Sequence, residues 1–397
     1  MKEAVIVSGA RTAIGKLGGS LQDVLVEQLA SQMIRAAITR AGIDDQSIDE
    51  VILGHGKQSS DTPNLARVAS LYADLPLEVS AYTVHRQCGS GMQAVISAAQ
   101  SIRLGESAVV LAGGAESMST APYYMRQARF GYRSGNGEIL DPNTESQPKS
   151  QPVEKYGRIT MGLTAENLAA KYGISREEQD EFAWTSQSRA LHAIASGRFE
   201  DEIVSVPVKK GKTMVDFAVD EFPKASTLEA FASLKPAFKK DGTVTAGNSS
   251  GRNDGAAAMV LMDAAKAFEM GIVPMMKIAG YASAGVPPEI MGIGPVPATR
   301  KALERAGLTM QDIDLIELNE AFAAQSLAVV RELEIDRTKL NVNGGAIALG
   351  HPIGCSGARI IVSLMFEMLK RKSRYGLATL CIAGGQGSAV ILENMQI

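Results

Sequence analysis

Cys88 stands in RQCGSGMQAVISAAQ, where Gly89, Ser90 and Gly91 end one element and open an apolar helix. A cysteine at a helix N-terminus meets unpaired backbone N–H groups and the positive end of the helix dipole, so its thiol is expected to ionise easily and act as a nucleophile. The flanking glycines fill a core poorly, which weighs against an inert buried cysteine. His351 lies among glycines in GGAIALGHPIGCSGARI, just before another helix start. An imidazole with a pKa near neutrality is the natural base for such a thiol. Cys381 closes the apolar strand LATLCIA, at the strand end where α/β sites are usually built. It reads either as a second acid/base group or as core material. Asn319, in LIELNEAFAAQ, either caps the helix that follows or polarises a bound water. Cys355 reads as packing, and His55, His85 and His192 as structural.

The elements that must position these groups repeat. AGIDDQSIDEVI at 41–52 lies on AGLTMQDIDLIE at 306–317 without a gap. SGMQAVISA from Ser90 then lies on SGARIIVSL from Ser356, each expected as a glycine-rich turn opening an apolar helix. AVVLAGGAES from Ala108 lies on TLCIAGGQGS from Thr379, again in order. Ordered matches of this kind mean a duplicated fold, with the Cys88 and His351 turns facing each other across a pseudo-dyad. The apolar runs VILG (51–54), AVVLAG (108–113), LIEL (315–318) and LATLCIA (377–383) read as strands covered on both faces, giving stacked layers of helix and sheet. The halves are expected at 1–118 with 246–270, and at 271–397. Residues 119–245 form an inserted loop domain over the site. Within it, 131–162 reads as loop, and Ser175 with Glu178 is a capping box opening a helix to about Ala195 that closes at Gly197.

The chain has 397 residues, beyond the roughly 250–300 at which single cores stop growing, so two or three domains are expected. A 45% hydrophobic and 21% charged composition is that of a globular α/β protein. Forty basic residues against 43 acidic ones leave a formal charge of -3, no field for a polyanion, so nucleic acid is not an expected partner. Three cysteines make no disulfide framework and fit a reducing compartment, the cytoplasm. No secretion signal or membrane span is legible. CxxC, HxxxH and HExxH are absent, so no metal site is expected. GGAES and GGQGS match neither dinucleotide nor P-loop fingerprints.

Four motifs, CGSG at 88–91, NEAF at 319–322, GHPIGCSG at 350–357 and CIAGGQG at 381–387, stand in an order and spacing that resemble the thiolase family along the whole chain. AGNSSGRNDGAA from Ala246 and TAENLAAKYGISREEQDEFA from Thr164 resemble its linking segments. The resemblance implies the α/β thiolase fold, two βαβαβαββ halves in five layers, αβαβα. It implies an acyl thioester on Cys88, thiol activation by His351 and proton shuttling by Cys381. Asn319 would hold a water that forms one oxyanion hole with His351, and the backbone N–H groups of Cys88 and Ala383 would form the other. Met161, Ser250 and Phe322 would contact the pantetheine of coenzyme A, and Lys224 would approach its nucleotide end. Acyl-CoA and CoA are then substrates and products, no cofactor is needed, and a homodimer or homotetramer is implied.

The activity implied is that of an acetyl-CoA acetyltransferase joining two acetyl-CoA, or of a degradative 3-ketoacyl-CoA thiolase acting on longer chains. Two other classes are distinguishable in principle: a cysteine hydrolase, which has no use for Cys381, and a silent CoA-binding protein. Three positions depart from the family pattern, with Ala383 in place of glycine, His85 in place of asparagine and Thr160 in place of histidine. The alanine would be strained if position 383 needed a positive φ.

Overall fold

The computed structural model describes residues 2–397. The first half runs β1 (Ala4–Arg11), α1 (Val26–Ala41), β2 (Glu50–Gly54), α2 (Leu65–Tyr72), β3 (Ser80–Val84), α3 (Ser90–Leu104) and β4 (Val109–Ser117). A long excursion containing α4 (Met161–Tyr172) and α5 (Arg176–Ala195) follows before the chain returns as β5 (Asn253–Asp263). The second half runs β6 (Met276–Gly285), α6 (Pro295–Ala306), β7 (Leu315–Leu318), α7 (Ala323–Leu333), α8 (Ile353–Arg371), β8 (Tyr375–Ile382) and β9 (Gln386–Asn394). These strands follow one path, β7-β8-β9-β6-β1-β5-β4-β2-β3, with Gly15–Lys16 paired to β5 beside it. The halves join where β1 meets β6 through only two pairs, Val5 with Lys277 and Ile6 with Met276.

Alternation along each strand divides the core into layers. Val5, Val51, Leu53 and Leu111 pack with α1 and α2 on one outer face. Ile6, Ile52, Val110, Ala378, Leu380 and Val390 face the central layer made by α3 and α8. Leu377 and Ile391 turn the other way, onto α6 and α7. Helices outside, two sheet halves, and two helices between them give the five layers.

The duplication has a local cause at its clearest match. Gly42 and Gly307 end α1 and α6 in the left-handed region, φ 65° and 67°, each satisfying the last helical carbonyls. A 3-10 turn follows each, at Asp45–Ser47 and Met310–Asp312, and then β2 or β7. Two matches differ in detail. α8 opens at Ile353, so Ser356 and Gly357 lie inside its first turn rather than ahead of it. In the third match, β4 runs through its glycines to Ser117, whereas β8 stops at Ile382 and turns on Gly384 and Gly385, φ 86° and 85°. Of the expected loop 131–162, residues up to 160 are loop broken by short helical turns at Pro142–Glu145, Pro148–Ser150 and Val153–Tyr156, and α4 opens at Met161. The Ser175–Glu178 capping box is formed, and α5 ends at Ala195.

Glycines govern the central layer. A methyl built on Gly91 of α3 would lie 2.9 Å from the Ala358 nitrogen and the Gly354 oxygen of α8. One on Gly357 would lie 2.4 Å from the Met92 nitrogen, and one on Gly114 of β4 2.1 Å from the Gly354 oxygen. Backbone rests on backbone here, so the starts of α3 and α8 approach more closely than side chains permit. Gly91→Ala is therefore expected to cost roughly 1–3 kcal/mol. Urea unfolding should show a lower midpoint at unchanged slope.

Candidate active site

The turn from β3 to α3 presents Cys88. Ser90 Oγ accepts from the Arg86 N–H (2.8 Å) and donates to the Gln87 carbonyl (2.6 Å), while the Gly89 N–H bonds the Arg86 carbonyl (2.9 Å). A methyl on Gly89 would strike Ile382 at 2.5 Å, so the end of β8 lies directly against this turn. The backbone N–H groups of Ala383 and of Cys88 itself favour the Cys88 thiolate electrostatically. Ala383 is not in the left-handed region; Gly384 and Gly385 carry the positive φ, so the alanine is unstrained.

The expected low thiol pKa is not what the structure gives. Cys88 precedes the N-cap Gly89 of α3, and burial pushes its thiol above the ordinary value. The Ala383 N–H, Lys57 and its own N–H oppose that without overcoming it. Cys88 is a half-buried residue with a deep sulfur, charged only at a cost in this resting arrangement.

His351 is fixed from two sides. Its N–H donates to Asn253 Oδ1 (2.9 Å), and Nδ1 lies 2.6 Å from Ser356 Oγ. Gly350 before it has φ 106°, and a side chain there would strike Asn253, so only glycine serves. Ser356 spends its single proton on the Pro352 carbonyl, 2.8 Å away. With the serine proton on that carbonyl, Ser356 accepts from His351, an assignment that puts the ring proton on Nδ1 and leaves Nε2 bare. That Nε2 is buried and has no protein partner. Burial first, then the Arg359 charge, lowers the imidazole pKa to about 4, not near neutrality as expected, so the ring is a neutral base.

Cys381 ends β8 within electrostatic reach of Cys88, and burial holds its thiol well above the ordinary value. It packs with Met161, Ala321 and Phe322. Asn319 does not cap a helix, because α7 begins only at Ala323 with Phe322 at its cap. Both atoms of its amide are buried without a protein partner, a site that fits a water. Cys355 is packing, fully buried on α8.

Ser250 lies beside this cluster, its N–H on the Ala321 carbonyl (3.0 Å), and Phe322 meets Phe238 edge to face at 5.8 Å. Lys224 lines a cavity of about 320 Å³ with Gln187, Phe222, Phe231, Leu234 and Gly247. The cavity's lining omits Cys88 and His351 and continues in sequence toward Ser250. Thr160 caps α4 without a side-chain bond, and half-buried His85 is held below its ordinary pKa by burial.

Sequence reading missed Ser356, Asn253, Lys57 and Glu116. Ser356 sits one turn beyond His351, a spacing that carries a signal; Asn253 and Glu116 reach the site only through sheet pairing. His55, read as structural, pairs with Glu116 through Nε2 at 3.2 Å.

Comparison with known proteins bears on this geometry. The family description "Thiolase, N-terminal domain" matches residues 4–265, and "Thiolase, C-terminal domain" matches residues 272–394. The acetyl-CoA acetyltransferase of Escherichia coli K12 is 53% identical over 397 residues, covering all of both chains. That of Syntrophomonas wolfei is 52% identical, over 99% of this chain and all of its own. The crystal structure of Bacillus anthracis acetyl-CoA acetyltransferase superposes with a TM-score of 0.96 at 51% identity, covering 99% of each chain. Human mitochondrial 3-ketoacyl-CoA thiolase gives 0.94 at 44%, again over 99% of each. The fold and these likenesses define an acyltransferase built on a duplicated five-layer α/β scaffold. The chain belongs to the thiolase family.

A His351 held neutral binds its proton in the unfolded chain near pH 6.5 but in the folded one only near 4. Its contribution to stability is whole above 6.5 and falls as pH drops toward 4, by on the order of 3 kcal/mol. Melting temperatures from pH 7 to 4 should fall more steeply for the wild type than for His351→Asn.

Proposed function

We propose that the protein is an acetyl-CoA acetyltransferase: it joins two acetyl-CoA into acetoacetyl-CoA and CoA, reversibly, through an acyl thioester on Cys88. The observation that carries this is the meeting of the Cys88 turn with the end of the strand that bears Cys381, where a methyl on Gly89 would lie 2.5 Å from Ile382, together with a buried His351 Nε2 that has no protein partner. The names of the relatives near 50% identity support acetyl transfer.

With a neutral thiol and a neutral imidazole, proton transfer accompanies attack. The Cys88 proton passes to His351 Nε2 as the sulfur adds to the first thioester carbonyl. The Cys88 and Ala383 N–H groups stabilise the oxyanion, each worth roughly 3–4 kcal/mol in comparable sites. Departing CoA takes the Cys381 proton. The Cys381 thiolate then removes an α-proton from the second acetyl-CoA, whose enolate oxygen is held by a water on Asn319 and by the His351 imidazolium. The enolate carbon attacks the Cys88 thioester, and His351 returns its proton to the released sulfur.

Met161, Ser250 and Phe322 would line the pantetheine arm and Lys224 the nucleotide end; a human thiolase of this fold is described in complex with CoA. Coenzyme A is then substrate and product, and the chemistry calls for no cofactor. The division into 1–118 with 246–270, 119–245 and 271–397 belongs to the same reading, as does the cytoplasm; among the described residues no helix is long and apolar enough to cross a membrane. A homodimer or homotetramer is supported by exposed Tyr123, Met125, Phe130 and Ile139 on the excursion. Sedimentation should then find no monomer at micromolar concentration.

Incubated with acetoacetyl-CoA and CoA, the protein should consume the 3-keto thioester and lose activity steeply as the chain lengthens; equal or faster turnover of long chains would make it the degradative enzyme. Cys381→Ala should lower condensation at least a thousandfold. Intact turnover with that variant, or release of free acids, would mean a cysteine hydrolase. Absence of any turnover with reduced Cys88 would mean a silent CoA-binding protein.

A further inference from the structure

Glu116, at the end of β4, takes no part in the chemistry above, yet its carboxylate touches the elements that build the site. It is fully buried. One oxygen accepts the N–H groups of Gly56 (3.0 Å) and Gly354 (2.9 Å). The other accepts the Lys57 N–H (3.2 Å) and faces His55 Nε2 at 3.2 Å. Gly354 is the second residue of α8, and the same first turn carries Ser356 against the His351 ring. The segment after β2 that supplies Gly56 and Lys57 is anchored in turn on the start of α3. A methyl on Gly54 would lie 2.3 Å from the Gly91 nitrogen, so the two backbones are in contact. Burial works against ionisation of Glu116, but His55, then Lys57 and the Gly354 N–H, outweigh it and hold the carboxyl below its ordinary pKa. An anion is thus built into the N-terminus of α8, where the free N–H groups favour one.

We propose that Glu116 is a positioning residue that locks the first turn of α8, and with it the His351 imidazole, against the Cys88 turn. Each carboxylate oxygen serves two donors. Glutamine offers one oxygen, and in either amide orientation its NH₂ faces a backbone N–H, those of Gly56 and Gly354 or that of Lys57, so it cannot reproduce the carboxylate's contacts. The inference rests on His351 acting as base toward Cys88, and it extends the site to a residue that touches neither substrate nor sulfur.

The test is a double-mutant cycle on Glu116→Gln and His351→Asn, read by the rate at which iodoacetamide alkylates Cys88 at pH 7, with the Cys88 peptide resolved by mass spectrometry. Glu116→Gln should slow alkylation about tenfold in the wild-type background and less than twofold in the His351→Asn background, because the two act as one unit. Its thiolysis kcat should fall by at least tenfold with KM within about twofold. His55→Gln keeps a donor to the carboxylate and should stay within about threefold of wild type. Equal slowing in both backgrounds would mean general damage to the fold and overturn the proposal, as would a folded Glu116→Gln within twofold of wild type. Should the glutamine variant fail to fold, Glu116→Asp, one methylene short of its donors, should give the same non-additive loss; an additive loss overturns the idea. A wild-type protein without thiolysis would refute the acetyltransferase, while the alkylation cycle would still report on Glu116.

Discussion

The structure depends on a contact that has no side chains in it. Gly91, Gly114, Gly354 and Gly357 let the starts of α3 and α8 and the strand β4 touch backbone to backbone. α3 follows Cys88 and α8 follows His351, so this contact fixes how closely thiol and imidazole approach. It also packs two helices into the single layer between the sheet halves, which makes five layers possible. Close-packed interiors register a change of one methylene, and here the space for even that is missing.

What the contact assembles is electrostatically quiet. Burial raises both thiols and lowers the imidazole, so the resting site holds neutral groups where a free helix terminus and a free histidine would favour an ion pair. Ionising such groups inside the protein is expensive. Ser356 holds the ring: its Oγ lies between the Pro352 carbonyl and His351 Nδ1, and with its proton on the carbonyl the ring proton sits on Nδ1. His351 Nε2 and both atoms of the Asn319 amide are among the buried polar atoms that have no protein partner.

Much of the fold was legible because the duplication is written in local rules. Gly42 and Gly307 hold equivalent places in the first repeat match, and the strands that follow them lie within a residue or two of expectation. Cys88, His351 and Cys381 stood out by type and glycine company. The protonation states did not, since they depend on desolvation by residues distant in sequence. Asn319 was ambiguous because a cap and a water site share one residue type; only the position of Ala323 as the start of α7 decided it. Glu116 was invisible in GGAES because its partners, at 55–57 and 354, come together only through the sheet and the central layer.

The strand order carries a consequence for synthesis. β1, made first, lies between β5 and β6, whose residues begin at 253 and 276. At about 5–20 residues per second, a nascent chain waits on the order of ten seconds or more before its opening strand can pair on either side. Throughout that interval both edges of the strand present unpaired N–H and C=O groups, an arrangement prone to wrong association. The yield of this chain in a cell would therefore depend on whatever shields that strand until residues 253–285 emerge.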